Sequence, residues 1–220
     1  MINLLPVAIP EHIPLAHPDG IALRRARASD AVQLARAVAE SKAHLLPWMP
    51  WAKGDEARDA GFQTQRLTEG EAAWARGEEF NFVLVSHHAE AGHGAPGNSE
   101  PGVSLRDGTT AGAGTAGIRV LGACGLMTRR GPRTLEIGYW THVAAGGRGY
   151  ARALAKSLTD VAVRVPGVDE VFIMCDAANV RSAAIPRALG YVLRSVRSRE
   201  RTAPGEAGQE MEWVMPAGGR

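Results

Sequence analysis

The sequence predicts a mixed α/β or α+β domain whose central sheet has both parallel and antiparallel neighbours. Three observations predict it. Apolar runs of strand composition follow one another as hairpin-like neighbours in the first half. A strand, a glycine turn and an amphipathic helix come in that order in the second half. The 220 residues, 45% of them hydrophobic, are enough to bury one core, so one domain is expected over two.

Taken in order, residues 1–18 read as an irregular leader and residues 19–216 as the single domain. The run D-G-I-A-L-R-R-A-R is the first strand, with Ile21 and Leu23 alternating against polar neighbours. Ser29 is placed to cap a helix in which Ala31, Leu34, Ala35 and Val38 share one face. Pro47 and Pro50 end that pattern and leave L-L-P-W-M-P-W as a stiff aromatic turn. A second helix is expected over roughly Asp55 to Arg76.

Three strands come next: Phe80 to Val85, a run from Ile118, and T-L-E-I-G-Y-W from Thr134. Between the first two, from about 88 to 116, the chain is too rich in Gly, Pro and Ser to pack, and reads as a flexible insertion in a hairpin. Past Gly149, the residues Ala151, Leu154, Leu158, Val161 and Val165 return to helical spacing, and Pro166-Gly167 closes the segment. V-D-E-V-F-I-M-C-D is a strand, and N-V-R-S-A-A-I-P-R-A-L-G a helix ending at Gly190. Y-V-L-R-S-V-R-S-R-E and Q-E-M-E-W-V-M are the last two strands. The count is about seven strands and about four helices.

Charge and composition exclude several classes. With 25 Lys and Arg against 23 Asp and Glu, the net charge of +2 is far from that of a protein spread along nucleic acid. Cys124 and Cys175 lie in apolar strand-like runs without a Cys or His partner at metal spacing, so both are expected as small buried hydrophobes. His87, His88 and His93 lack a completing carboxylate or Cys, and no metal is expected. The N-terminus has no basic region and is broken by Pro6 and Pro10, and no apolar run reaches the roughly 18 residues of a membrane span. A cytoplasmic protein, monomer or homodimer, with no membrane or nucleic-acid partner is the expectation.

Two glycine motifs invite a phosphate. Gly112 to Gly117, G-A-G-T-A-G, spells the dinucleotide fingerprint, but a flexible run precedes it and a strand follows, the reverse of what a pyrophosphate site needs. G-G-R-G-Y-A-R-A-L, Gly146 to Leu154, matches no such fingerprint, yet it stands between a strand and an amphipathic helix. A helix start leaves N–H groups without partners and carries partial positive charge, so glycines there admit a diphosphate, with Arg148 and Arg152 at its flanks. A tight strand-to-helix turn would use the same glycines for backbone freedom alone.

The motifs together resemble the GCN5-related N-acetyltransferases, and most closely the branch that acetylates the N-termini of ribosomal proteins, the RimJ/RimL type. The resemblance runs from about Gly20 to Met215. It is carried by the Gly146 loop, by E-I-G-Y-W at Glu136 to Trp140, by C-D-A-A-N-V-R-S-A-A-I-P-R-A-L-G-Y at Cys175 to Tyr191, and by H-L-L-P-W-M-P-W at His44 to Trp51. It implies a mixed, mostly antiparallel central sheet and direct acetyl transfer from acetyl-CoA to a primary amine. The acceptor would be a protein or peptide N-terminus or, alternatively, a small-molecule amine; a non-catalytic acyl-CoA-binding module is the rival from another class. In the family's pattern Q/R-x-x-G-x-G/A, Gly149 and Ala151 fill the last two positions, while Gly146 stands where Gln or Arg is usual. The insertion has no counterpart in the family's short hairpin.

The resemblance assigns the cofactor to Thr141, Gly146, Gly147, Arg148, Gly149, Tyr150, Ala151, Arg152 and Asn179. Acetyl transfer needs a neutral amine, a stabilised oxyanion and a proton for the leaving thiolate. Glu136 is the candidate base, unless it is a structural carboxylate paired with an arginine such as Arg133. His142 is the second possible base, or else a capping or surface residue. The motif Asn179-Val180-Arg181-Ser182 points to Ser182 as proton donor, and Asn179 is also a natural N-cap. Backbone N–H groups where Tyr139-Trp140-Thr141 splays from its neighbour would hold the oxyanion. Trp48, Trp51 and Trp140 are the candidate acceptor wall, with Glu78 and Glu79 possible acids at its rim.

Overall fold

In the computed structural model, residues 9–86, 119–131 and 133–218 are described. The chain order is β1 (His12–Pro14), β2 (Ile21–Arg25), α1 (Ala31–Leu45), α2 (Ala60–Ala75), β3 (Glu79–Ser86), β4 (Arg119–Met127), β5 (Thr134–Thr141), α3 (Tyr150–Ala162), β6 (Glu170–Asp176), α4 (Val180–Ala188), β7 (Val192–Ser198) and β8 (Gln209–Pro216). The strands form one sheet in the order β1-β2-β3-β4-β5-β6-β8-β7. Every neighbouring pair is antiparallel except β5 with β6.

The eighth strand is β1. Residues 12–14, expected inside an irregular leader, pair with β2 from His12 opposite Arg24 to Pro14 opposite Ala22. A Pro in so short a run is tolerated because the strand lies at the sheet edge. The segment from 88 to 116, the histidines 87, 88 and 93, and G-A-G-T-A-G lie outside the described residues.

Alternation along β3 divides the interior into two apolar clusters. Phe82 and Leu84 join Leu126, Leu135, Ile137 and the buried stripe of α3, Leu154, Ala155, Leu158 and Ala162. Val83 and Val85 join Val120 with Leu34 of α1 and Leu67 of α2. Neighbouring strand residues face opposite ways, so one strand serves both clusters.

The helix starts differ in detail from the sequence expectation. Ser29 lies within a short 3-10 turn, Ala28–Asp30, and α1 begins after it. The capping work falls to buried Asp30, whose carboxylate accepts the Arg27 N–H at 2.8 Å and two bonds from Arg24. Asp59 caps α2 by accepting the Phe62 N–H at 2.8 Å.

The parallel β5–β6 pair positions the site. Pairing runs only from Thr134 opposite Glu170 to Glu136 opposite Phe172. Beyond Glu136 the two strands part. β5 stays on β4 as far as Gly122 opposite Thr141, while β6 continues on β8 to Asp176 opposite Glu210. A wedge therefore opens between Ile137–Thr141 and Ile173–Asp176. On β4 a bulge at Leu121 shifts the register, and Gly122 lies so close to β5 that a Cβ there would stand 2.3 Å from the Trp140 carbonyl oxygen. Glycine at this point lets the Trp140 end of β5 approach.

Candidate active site

The wedge is one wall of a cavity of about 840 Å³. Glu136, Tyr139 and Trp140 enter it from β5, Cys175 and Asp176 from β6, Asn179 and Ser182 from the start of α4, and Trp48 and Trp51 from the turn after α1. The sequence-predicted catalytic and acceptor residues thus share one space. Trp51 and Trp140 face each other with ring centroids 6.1 Å apart, and Trp51 remains 41% exposed, so the pair forms a rim. Trp74, by contrast, stacks edge-on against Phe80 and Phe82 under the Arg25 guanidinium and is a packing residue.

Glu136 is buried, 6% exposed, at the last position where β5 pairs with β6. Its carboxylate is bridged by Arg129, with Arg130 Nη1 3.7 Å away. Arg133 is not its partner, because that side chain pairs with Asp169 at 2.5 Å. The hairpin carrying Arg129 and Arg130 folds them back onto the β5 carboxylate, whereas Arg133, in the left-handed region at φ 63°, is turned away.

Asn179 performs the capping role: its Oδ1 accepts the Ser182 N–H at 3.1 Å, which fixes Ser182 in the first turn of α4. Ser182 Oγ stands 3.4 Å from the Tyr139 hydroxyl. Burial pushes the Tyr139 phenol pKa up, only partly offset by the Ser182 bond and reinforced by neighbouring Cys175 and Tyr191, so the phenol keeps its proton at neutral pH. From the sequence, Tyr139 stands only as part of the splayed backbone. The alternation of β5 puts its side chain on the same face as Ile137 and Leu135, and nothing short of the α4 position shows that it meets Ser182.

Cys175, expected as a buried hydrophobe, is half-buried and lines the cavity. Burial raises its thiol pKa to about 11, against opposing bonds from Ser182 and Trp213, so it stays protonated. Cys124 is buried as expected. Tyr191 packs, its hydroxyl 2.7 Å from Thr159 Oγ1.

His142 is a capping residue and is not part of the cavity wall. Buried at 2% exposure, it accepts the Ala144 N–H on Nδ1 at 3.1 Å and donates from Nε2 to Glu40 Oε2 at 2.9 Å. Both ring nitrogens are engaged within the fold, which removes it as a base facing an acceptor.

The loop from Gly146 to Arg152 and Thr141 lie apart from the cavity lining. Gly147 and Gly149 take φ +76° and +79°, and a Cβ added to either would meet nothing within 4 Å. Gly149 ends the turn as the left-handed N-cap of α3. Among the described residues no backbone acceptor is recorded for the N–H groups from Gly147 to Arg152, the arrangement of an open helix start. Gly146 is different: at φ −62° and ψ 142° any residue fits the backbone, and a Cβ would stand 3.3 Å from the Val143 carbonyl oxygen.

The side chains of Tyr150 and Arg148 also make contacts within the fold. The Tyr150 ring is buried, with its hydroxyl donating to Asp19 Oδ2 at 2.5 Å, so only its N–H faces the loop. Arg148 spans the ring at 5.4 Å and meets the same Asp19 Oδ2 at 3.3 Å. His17 donates from Nε2 to the Arg148 carbonyl oxygen at 2.8 Å, and its ring meets Tyr150 edge-on at 4.8 Å. The segment between β1 and β2 thereby clasps the glycine loop, a contact between residues 131 apart in sequence.

Asp176 and Glu206 build the floor where β6, α4 and the β7–β8 hairpin meet. Burial raises the Asp176 pKa, but four N–H donors, Ala207, Ala178, Gln209 and Gly208, outweigh it and hold the carboxyl below its ordinary value. At Glu206 burial is likewise outweighed by the Thr202 and Ala203 N–H groups and by Arg199. Among the described residues no group of three or more His, Cys, Asp or Glu is placed to hold a metal, and no helix is long and apolar enough to cross a membrane.

The chain matches the family described as Acetyltransferase (GNAT) domain over residues 21–192. No curated protein matches it at significance. Among solved structures, a RimL ribosomal L7/L12 alpha-N-protein acetyltransferase in complex with coenzyme A superposes with a TM-score of 0.72 at 16% identity, covering 94% of this chain and 98% of that one. Mycobacterium smegmatis RimJ in complex with CoA-disulfide gives 0.72 at 19% identity, covering 95% and 88%. The microcin C7 self-immunity acetyltransferase MccE, with acetyl-CoA and AMP, gives 0.68 at 13% identity, covering 89% and 92%. At these identities the likeness is one of fold.

Proposed function

We propose, since this chain belongs to the GNAT acetyltransferase family, that it moves an acetyl group from acetyl-CoA directly to the free amine of a protein or peptide N-terminus. One observation carries the reading: a single cavity of about 840 Å³ joins the β5–β6 wedge, with Tyr139 and Ser182, to the tryptophan rim. That volume lies within the usual range of ligand pockets, roughly 300–1,000 Å³. One relative in fold, the RimL structure, is a ribosomal L7/L12 alpha-N-protein acetyltransferase by name, which supports the same acceptor class.

The glycine loop fits an acyl-CoA pyrophosphate. The N–H groups from Gly147 to Arg152 stand without recorded backbone acceptors among the described residues, and Gly147 and Gly149 leave open space above them. Exposed Arg152 adds positive charge from α3, while Arg148 is shared with Asp19. When bound, acetyl-CoA supplies an activated thioester carbonyl.

In the cavity, Glu136 takes the proton of the acceptor ammonium, directly or through water, with Arg129 and Arg130 fixing its carboxylate in place. Backbone N–H groups of β5 beyond Glu136, freed from β6, are the donors for the oxyanion. The Tyr139 and Ser182 hydroxyls, 3.4 Å apart, deliver a proton to the departing sulfur, and the Tyr139 phenol is held protonated for that purpose.

The microcin self-immunity relative keeps a small-molecule acceptor as the second reading. Mass spectrometry on a panel of free N-terminal peptides and small amines, with release of free CoA followed in parallel, separates them. Acetylated peptides are expected. Turnover confined to small amines overturns the acceptor class, and no CoA release with any amine overturns the enzyme reading.

A further inference from the structure

The floor of the main cavity is bare where a sheet usually carries side chains. Gly125 of β4 lies opposite Gly138 of β5, and Asn81 of β3 lies opposite Gly125, so the three form one row across the sheet. All three line the cavity. Alternation puts Ala123 and Trp140 on the same face to one side of that row, and Met127 and Glu136 to the other. The row is therefore a trough. It starts at the β5–β6 wedge, passes between Trp140 and the Glu136 carboxylate, and ends at Asn81.

Neither glycine takes a positive φ, so the backbone at both admits other residues. Packing at Gly138 admits them too: an added Cβ meets only the Met127 methyl, at 2.9 Å, the free end of a flexible side chain. Glycine weakens a strand interior and often marks a place where a ligand or another backbone comes close. At Gly125 an added Cβ would stand 2.8 Å from Asn81 Oδ1, so the missing side chain leaves that oxygen lying over the trough.

The Asn81 amide is oriented from its other end. Its Nδ2 donates to Glu79 Oε2 at 3.3 Å, which turns Oδ1 toward Gly125. Among the described residues Oδ1 has no hydrogen-bond partner, although an amide oxygen can accept two bonds. Neighbouring strands lie about 4.8 Å apart, so the trough from Gly138 to Asn81 is about 10 Å long. An extended chain at about 3.3–3.6 Å per residue crosses it in three residues. An acceptor whose amine sits at the wedge thus carries one of its first two peptide N–H groups over Gly125, within reach of Asn81 Oδ1.

We propose that the trough holds the main chain of the acceptor and that Asn81 is an acceptor-binding residue, its Oδ1 accepting the N–H of the acceptor's second or third residue. The proposal rests on the N-terminal acceptor reading above. It places recognition at these positions in the backbone rather than in the acceptor's side chains.

The test measures KM and kcat for a six-residue acceptor peptide and for copies N-methylated at residue 2, 3 or 4, with wild type, Asn81→Ala and Gly138→Ala. In the wild type, methylation at residue 2 or 3, and not at 4, should raise KM about fivefold, the usual worth of a neutral hydrogen bond. Asn81→Ala should raise KM for the unmethylated peptide by a similar factor with kcat held, and should erase the methylation penalty, because the same bond is already lost. Gly138→Ala keeps Asn81 and puts a methyl into the trough, so KM for the peptide should rise while the thermal shift given by acetyl-CoA is retained. No penalty at residues 2 and 3, or an equal penalty in wild type and Asn81→Ala, overturns the role of Asn81. An unchanged KM in Gly138→Ala overturns the path along the trough. If the wild type acetylates no peptide, the N-terminal acceptor reading fails and takes this proposal with it, whereas acetylation without these effects leaves that reading intact.

Discussion

Gly149, at φ +79° and on the first turn of α3, is the residue on which the cofactor reading depends most directly. Alanine there has space for its methyl but must adopt a left-handed backbone, which costs about 1–2 kcal/mol. Gly149→Ala should therefore lower the melting temperature and raise KM for acetyl-CoA, both measurable on one preparation. Gly146→Gln tests the opposite case: the φ of Gly146 is ordinary and its new Cβ has only the 3.3 Å approach to the Val143 carbonyl oxygen to relieve, so this substitution should cost less stability than Gly149→Ala while restoring the polar side chain the family pattern carries there. In the cavity, Ser182→Ala and Tyr139→Phe should each lower kcat, and the double variant should lose about a hundredfold, the scale of a missing proton donor. Full turnover in the double variant would assign the proton to another group. Of these residues the sequence singles out Ser182 through the family resemblance, which rests on the local run Asn179 to Ser182. It does not single out Tyr139, since its contact spans 43 positions. The same limit explains Glu136, where the arginines of the hairpin, not the nearest one in the strand, supply the partners.

The helices and strands read well from periodicity because each has a face to bury, and α3 is the clearest case. Leu154, Ala155, Leu158 and Ala162 are fully buried against the sheet, so Leu158→Ala should cost about 2–5 kcal/mol in urea unfolding. A loss under half a kcal/mol would mean that α3 does not seat as described. What periodicity could not show is where β6 leaves β5, because pairing depends on which strands are already engaged: β8 claims β6 along its whole length. Nor did it find β1, whose three residues are too few for a pattern. The junction of β6, α4 and the β7–β8 hairpin depends on Asp176 and adds a pH dependence. With its folded pKa below the ordinary Asp value of about 3.9, Asp176 contributes stability that is complete above that value and is lost as pH falls through the folded pKa. Asp176→Asn should lower stability at pH 7, and the gap to wild type should narrow below about pH 4. A gap that stays constant with pH would show that the carboxylate charge is not what the four N–H groups recognise.

At the scale of the whole molecule, the proposed cofactor loop is not an isolated turn. It joins α3, buried in the larger cluster, to the β1–β2 edge of the sheet through His17, Asp19, Arg148 and Tyr150. The cavity wall is drawn in turn from β5, β6, α4 and the turn after α1. A ligand lying along both surfaces contacts elements from most of the sheet, so its binding should act on global unfolding rather than on local fraying. Binding to the folded state alone stabilises by about 2.7 kcal/mol at a hundredfold excess over Kd. In a chain of this size that raises Tm by roughly 5–11 °C. Thermal unfolding followed by tryptophan fluorescence with and without acetyl-CoA measures the shift. His17→Ala keeps the cavity but loses the bond to the Arg148 carbonyl and the contact with the Tyr150 ring, so it should need more acetyl-CoA to reach the same shift. An unshifted Tm in the wild type at saturating acetyl-CoA would remove the cofactor from this fold. An equal shift in both proteins at every concentration would mean that the clasp does not set the loop for binding.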